Sequence, residues 1–67
     1  MKEENQHFEK LKRNASNGDS NAQAVLGNFY HLGHDVEQDL EKAVHWYRLA
    51  AEQGHQAALA SLAALTV

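Results

Sequence analysis

Apolar residues recur at helical spacing along most of this chain, and three polar, glycine-containing breaks separate them into four segments. In the first, about residues 3–17, Phe8, Leu11 and Ala15 lie three and four apart, one apolar stripe on an otherwise charged helix. Asn17-Gly18 supplies its stop, because both residues tolerate the left-handed C′ conformation. Asp19 or Ser20 can then cap the second segment, about residues 20–32. There Ala22, Val25, Leu26, Phe29 and Tyr30 form an i, i+3, i+4, i+7, i+8 stripe, the mark of an amphipathic helix. Gly27 sits inside it at a cost of about 1 kcal/mol relative to alanine, which makes sense if another helix approaches closely. Gly33 ends this segment, and 33–38 reads as a polar loop.

The third segment, about residues 40–53, has Asp39 as its natural N-cap and Glu41 and Lys42 in its first turn. Its apolar residues (Leu40, Ala43, Val44, Trp46, Tyr47, Leu49, Ala50, Ala51) wrap well beyond one stripe, which predicts neighbours on more than one side. Gly54 repeats the turn logic of Gly18. The fourth segment, about residues 56–66, is rich in alanine and leucine and too short to span a membrane.

Shifted on itself by about 36 residues, an offset typical of helical solenoids, the chain partly superimposes. Ala15 falls on Ala51, Gly18 on Gly54, Ala22 on Ala58 and Leu26 on Leu62, with Phe8 on Val44 and Leu11 on Tyr47. One whole repeat, about residues 20–54, thus lies between two half repeats, and 1–67 reads as a single domain. The fold class this predicts is all-α: four short antiparallel helices making one and a half to two helix-turn-helix repeats.

At 67 residues with no cysteine, the chain has a small core and no disulfide or thiolate-zinc staple. The absence of proline favours helix throughout. A net charge of −3 without a clustered basic face argues against nucleic acid. No apolar run follows Lys2-Glu3-Glu4, so the sequence as given reads as a cytoplasmic protein with neither signal peptide nor membrane span.

Ala22, Leu26-Gly27, Tyr30, Gly33, Asp39, Lys42-Ala43, Trp46-Tyr47, Ala50-Ala51 and Gly54 occur in register. In that order and spacing they resemble the SEL-one-like repeat family, relatives of the tetratricopeptide solenoids. The family loop carries a second glycine where this chain has Asp35, which tolerates positive φ less well than glycine but better than most residues. In the last half repeat Leu62-Ala63 stands at the Leu-Gly position and Thr66 at the tyrosine. Cysteine-rich members of the family pin helix pairs with disulfides, which this chain cannot form.

The resemblance implies a concave face, lined by the first helix of each pair, that grips peptides or protein surfaces. On the second segment the matching positions are Asn21, Ala24, Asn28, His31 and Leu32. The first four also form one helical row off the apolar stripe, open either to a partner or to solvent. Asn28 could pair with a peptide backbone, since an amide offers both donor and acceptor.

The same register compares the two ends. His7 and Asn14, the counterparts of Ala43 and Ala50, are polar and suit a capped end. Leu59, Leu62, Ala63 and Thr66, the counterparts of Gln23, Leu26, Gly27 and Tyr30, form an apolar face where a solenoid end is usually polar. They predict self-association as a homodimer, a docked partner helix, or a truncated array.

Chemistry-bearing residues are present without a recognisable site. Five histidines invite a metal reading, but no ligand spacing recurs among them, so no metal or cofactor is assigned. Ser16 or Ser20 with a histidine and Asp19 lacks any nucleophile-elbow motif. Asp35, Glu37, Asp39 and Glu41 read as a solvated loop and a favourably charged helix start, or as a contact for a basic partner segment. Tyr47 aligns with Ala43, Ala50 and Ala51 as a core residue, and Trp46 reads as packing. The function these features favour is a non-enzymatic protein-protein interaction module, an adaptor or a small regulator or inhibitor of one partner. The alternative is a structural or truncated repeat unit with no independent activity.

Overall fold

The computed structural model describes the backbone of residues 2–66 and the side chains of residues 7–66. It contains helices α1 (Lys2–Ser16), α2 (Ser20–Leu32), α3 (Leu40–Glu52) and α4 (Gln56–Leu65), with no strand among the described residues. Each helix packs on the one before it. The all-α reading and the segment boundaries therefore hold to within a residue or two.

The short turns explain how the chain reverses. At the first, Gly18 takes φ 99, and the amides of Gly18 and Asp19 donate to the carbonyls of Ala15 and Asn14. At the second, Gly54 takes φ 89, and the amides of Gly54 and His55 donate to those of Ala51 and Ala50. The backbone bonds thus recur at the sequence offset, so the repeat is conformational as well as compositional. Asp19 is the α2 cap, its carboxylate accepting from the amides of Asn21 and Ala22 at 3.0 and 3.2 Å. Asp39 caps α3 through Lys42 N–H at 3.1 Å. Asp35, where the family pattern has glycine, does adopt the left-handed conformation at φ 65.

The core forms two clusters on either side of α2 and α3. Ala15, Ala22 and Leu26 are buried with Phe8, Leu11, Tyr30 and Trp46 around them. Ala24, Ala43, Tyr47, Ala50 and Ala58 form the second, flanked by Tyr30, Leu62 and Leu65. So many alanines make the stack thin-walled: the largest fully buried side chains are Tyr47 and Leu26. Gly27 is needed for that closeness, because a β-carbon there would lie 2.6 Å from Cδ1 of Tyr47.

Two expectations for α2 are corrected. Val25, counted in the buried stripe, is 40% exposed, whereas Ala24, placed on the open row, is 7% exposed. A single amphipathic stripe suits one packing face, but α2 is covered by Tyr47 of α3 and Ala58 of α4 as well as by α1. That rotates the buried arc toward Gln23, Ala24 and Gly27 and turns Val25 outward. Leu40, counted among the wrapping residues of α3, is likewise half exposed.

Buried Gln23 acts as a polar tie. Its Nε2 donates to Ala15 O at 3.0 Å, and its Oε1 accepts from Gln53 Nε2 at 3.0 Å. Gln53 Nε2 also reaches Gly18 O at 2.9 Å, so the end of α3 is fastened to the α1–α2 turn. His7 and Asn14, at the end predicted to be capped, are exposed.

Candidate functional site

A cleft of about 300 Å³ opens between α2 and α4. Asn21, Val25 and Asn28 form its α2 wall, Ala57 and Ser61 its α4 wall, and Ala24, Ala58 and Tyr47 its floor. The wall residues of α2 follow i, i+4, i+7 spacing, which keeps them on one side of the helix. Leu32 continues that row at 73% exposure but lies outside the cleft lining.

Tyr47 connects core and cleft. Its ring is 1% exposed, while its hydroxyl donates to Asn28 Oδ1 and lies 3.2 Å from His31 Nδ1. With the hydroxyl proton given to Asn28, the His31 contact is made by an Nδ1–H donor. Burial pushes the Tyr47 phenol above its ordinary value of 10.0, outweighing the Ser61 side chain, which acts in the opposite sense. The phenol is therefore a protonated donor at neutral pH. The expectation that Asn28 offers a partner both donor and acceptor is narrowed: its oxygen is engaged internally, and its Nδ2 has no partner among the described residues.

His55 closes the cleft at the start of α4. It is the helix N-cap, with Nδ1 accepting from the Ala58 amide at 3.1 Å. Its Nε2 lies 3.0 Å from Asn21 Oδ1. Because Nδ1 is the acceptor, the proton is on Nε2, which donates to Asn21. Sequence reasoning did not assign His55, Ala57 or Ser61, although the signal was available. Applying the repeat offset, His55 is the counterpart of the cap Asp19, Ala57 of Asn21 and Ser61 of Val25.

The other predicted face lies on α4, away from this cleft. Leu59 is 51% exposed and Ala63 is exposed. Leu62 is only partly open, because it also packs against the Tyr47 cluster. Thr66 is exposed, but its amide and Oγ1 both donate to Leu62 O, at 3.0 and 2.8 Å, which caps the helix end.

The remaining histidines do not converge. His34 lies beside Phe29 and Asp35, and His45 beside Trp46. Among the described residues no three His, Asp or Glu side chains gather as ligands for a metal ion, and no helix is long and apolar enough to cross a membrane.

Comparison with known proteins agrees with this architecture. The Sel1 repeat family matches residues 20–55. The chain is 43% identical over 46 residues to the secretory immunoglobulin A-binding protein EsiB of Escherichia coli O6:H1, covering 69% of this chain and 9% of that protein. It is 36% identical over 53 residues to HRD3A, an ERAD-associated E3 ubiquitin-protein ligase component of Arabidopsis thaliana, covering 78% of this chain and 8% of that protein. The chain thus spans under a tenth of the length of these relatives. No solved structure matches. Sel1 repeats generally mediate protein–protein interaction and are generally non-catalytic. With a full repeat in register, the turn bonds recurring at the repeat offset, and more than half the residues matched, the chain belongs to the Sel1 repeat family.

Proposed function

We propose that this chain is a non-enzymatic protein-binding module, an adaptor or a small regulator of one partner, which engages that partner through the α2–α4 cleft. The observation that carries this reading is the cleft itself, a concavity whose lining contains no Lys, Arg, Asp or Glu. Asn21 and Asn28 are its polar contacts and Ala24 its floor; His31, outside the lining, holds the Tyr47 hydroxyl from behind Asn28, and Leu32 is an apolar extension beyond the rim. EsiB is named for binding a protein, secretory immunoglobulin A, which favours the same class of activity here.

The apolar α4 face, Leu59, Leu62, Ala63 and Thr66, is a second contact, used for self-association. Ten residues of α4 carry no charge, so two copies can meet there without like-charge repulsion. A helix of that length covers about 15 Å, too little for an interface of standard size, so the dimer is weak.

The test uses wild type and Val25→Arg as immobilised baits for proteins from the native source. Val25 is already exposed, so arginine blocks the cleft without entering the core. Proteins retained by wild type and lost with Val25→Arg support the cleft; identical retention rejects it. Light scattering over a concentration series tests the second contact. A mass rising toward twice 7.5 kDa, and returned to the monomer by Leu59→Arg, is the expected result. A concentration-independent monomer rejects self-association.

A further inference from the structure

The cleft lining contains no Lys, Arg, Asp or Glu, although these make up 22% of the chain. Its two amides are already oriented from within the protein. Asn28 Oδ1 accepts from the Tyr47 hydroxyl, and Asn21 Oδ1 accepts from His55 Nε2. His55 is itself held in the Nε2–H form by the Ala58 amide at Nδ1. Each amide thus has its acceptor engaged and its NH₂ group without a partner among the described residues. The α2 wall presents donors at two set points, and a matching ligand must supply acceptors there.

The spacing of those points selects the ligand's shape. Asn21 and Asn28 are seven residues apart on one helix, about 10.5 Å along its axis. Carbonyls on one side of a β-strand recur every second residue, at about 6.7 Å and then about 13.5 Å. Neither spacing matches. An α-helical ligand has its carbonyls bonded internally. In a polyproline II segment, carbonyls recur in the same direction every third residue, at about 9.3 Å, with no internal bonds to compete. The remaining difference of about 1 Å is within the reach of two side chains.

Resting on the reading of the cleft as a partner site, we infer that it binds an uncharged peptide stretch in the polyproline II conformation, whose backbone carbonyls at i and i+3 accept from the side-chain amides of Asn21 and Asn28. Small apolar side chains of the peptide lie on Ala24, Val25 and Ala58. The two wall amides use none of the ligand's own N–H groups, so proline or an N-methylated residue at the contacting positions is tolerated.

The probe is a phage-displayed library of short random peptides, selected on the full chain and counter-selected on Val25→Arg, with the strongest sequence then synthesised with blocked ends. Asn21→Asp and Asn28→Asp keep the acceptor oxygens for His55 and Tyr47 and remove the donors. Circular dichroism and melting confirm that both stay folded. Each is expected to weaken peptide binding about tenfold or more, the loss of one well-made hydrogen bond, while N-methylation of the contacting peptide residues changes affinity less than about threefold. Peptides that need Val25 but are indifferent to both Asp variants, lose affinity on N-methylation, or carry charges at the contacting positions overturn the inference and leave the cleft reading standing. A library with no sequence distinguishing wild type from Val25→Arg overturns both.

Discussion

Gly27 and Tyr47 touch so closely that a β-carbon on Gly27 would stand 2.6 Å from Cδ1 and 2.7 Å from Cε1 of the ring. The ring cannot swing away, because it is 1% exposed and its hydroxyl is tied to Asn28. Alanine ordinarily gains about 1 kcal/mol over glycine within a helix. Here overpacking costs about 1–3 kcal/mol and wins. Gly27→Ala is expected to lower the melting temperature by several degrees, given about 4–8 °C per kcal/mol for a domain of this size. A variant that melts at or above wild type would show that α2 and α3 can separate without loss.

The same tyrosine makes stability sensitive to alkali. Burial raises the folded-state pKa of Tyr47 above its unfolded value of 10.0. The folded state therefore binds the phenolic proton more tightly than the unfolded chain does. That contribution is fully present below the unfolded value and is lost as pH rises through the folded one. Between about pH 9 and about pH 11, either side of the usual tyrosine value of about 10, wild type should lose more melting temperature than Tyr47→Phe. Equal slopes would place the phenol in solvent.

Asp19 accepts from two otherwise orphan amides at the start of α2. Removing such a cap costs about 1 kcal/mol, with a range of about 0.5–2. Asp19→Ala should be destabilised by that amount in urea titrations, and Asp19→Asn should recover most of it. An alanine variant equal to wild type would mean that water replaces the carboxylate at no cost.

Asp35 holds φ 65, where an L-residue is strained by about 1–2 kcal/mol and aspartate by less. Asp35→Gly should stabilise the chain by up to about 1 kcal/mol after glycine's larger backbone entropy is subtracted. It sacrifices only the exposed contact to His34 at 3.7 Å, which contributes little. A drop in melting temperature would show that the contact, or the loop's own rigidity, outweighs the strain.

The sequence by itself determined the helices, their turns and the family. Those features are set by neighbours along the chain: Phe8, Leu11 and Ala15 at helical spacing, Asp19 and Asp39 just before helix starts, and glycines just after helix ends. The repeat offset even contained the cap role of His55 as the counterpart of Asp19. The tertiary structure alone decided which flank of α2 is buried, because that depends on where α3 and α4 lie and not on α2's own periodicity. It placed Ala24 beneath Tyr47 and Ala58 and turned Val25 into the cleft wall. It also decided the chemistry of the wall. Whether an asparagine offers a donor, an acceptor or both depends on what already holds its oxygen, and Tyr47 and His55, far away in sequence, hold those of Asn28 and Asn21.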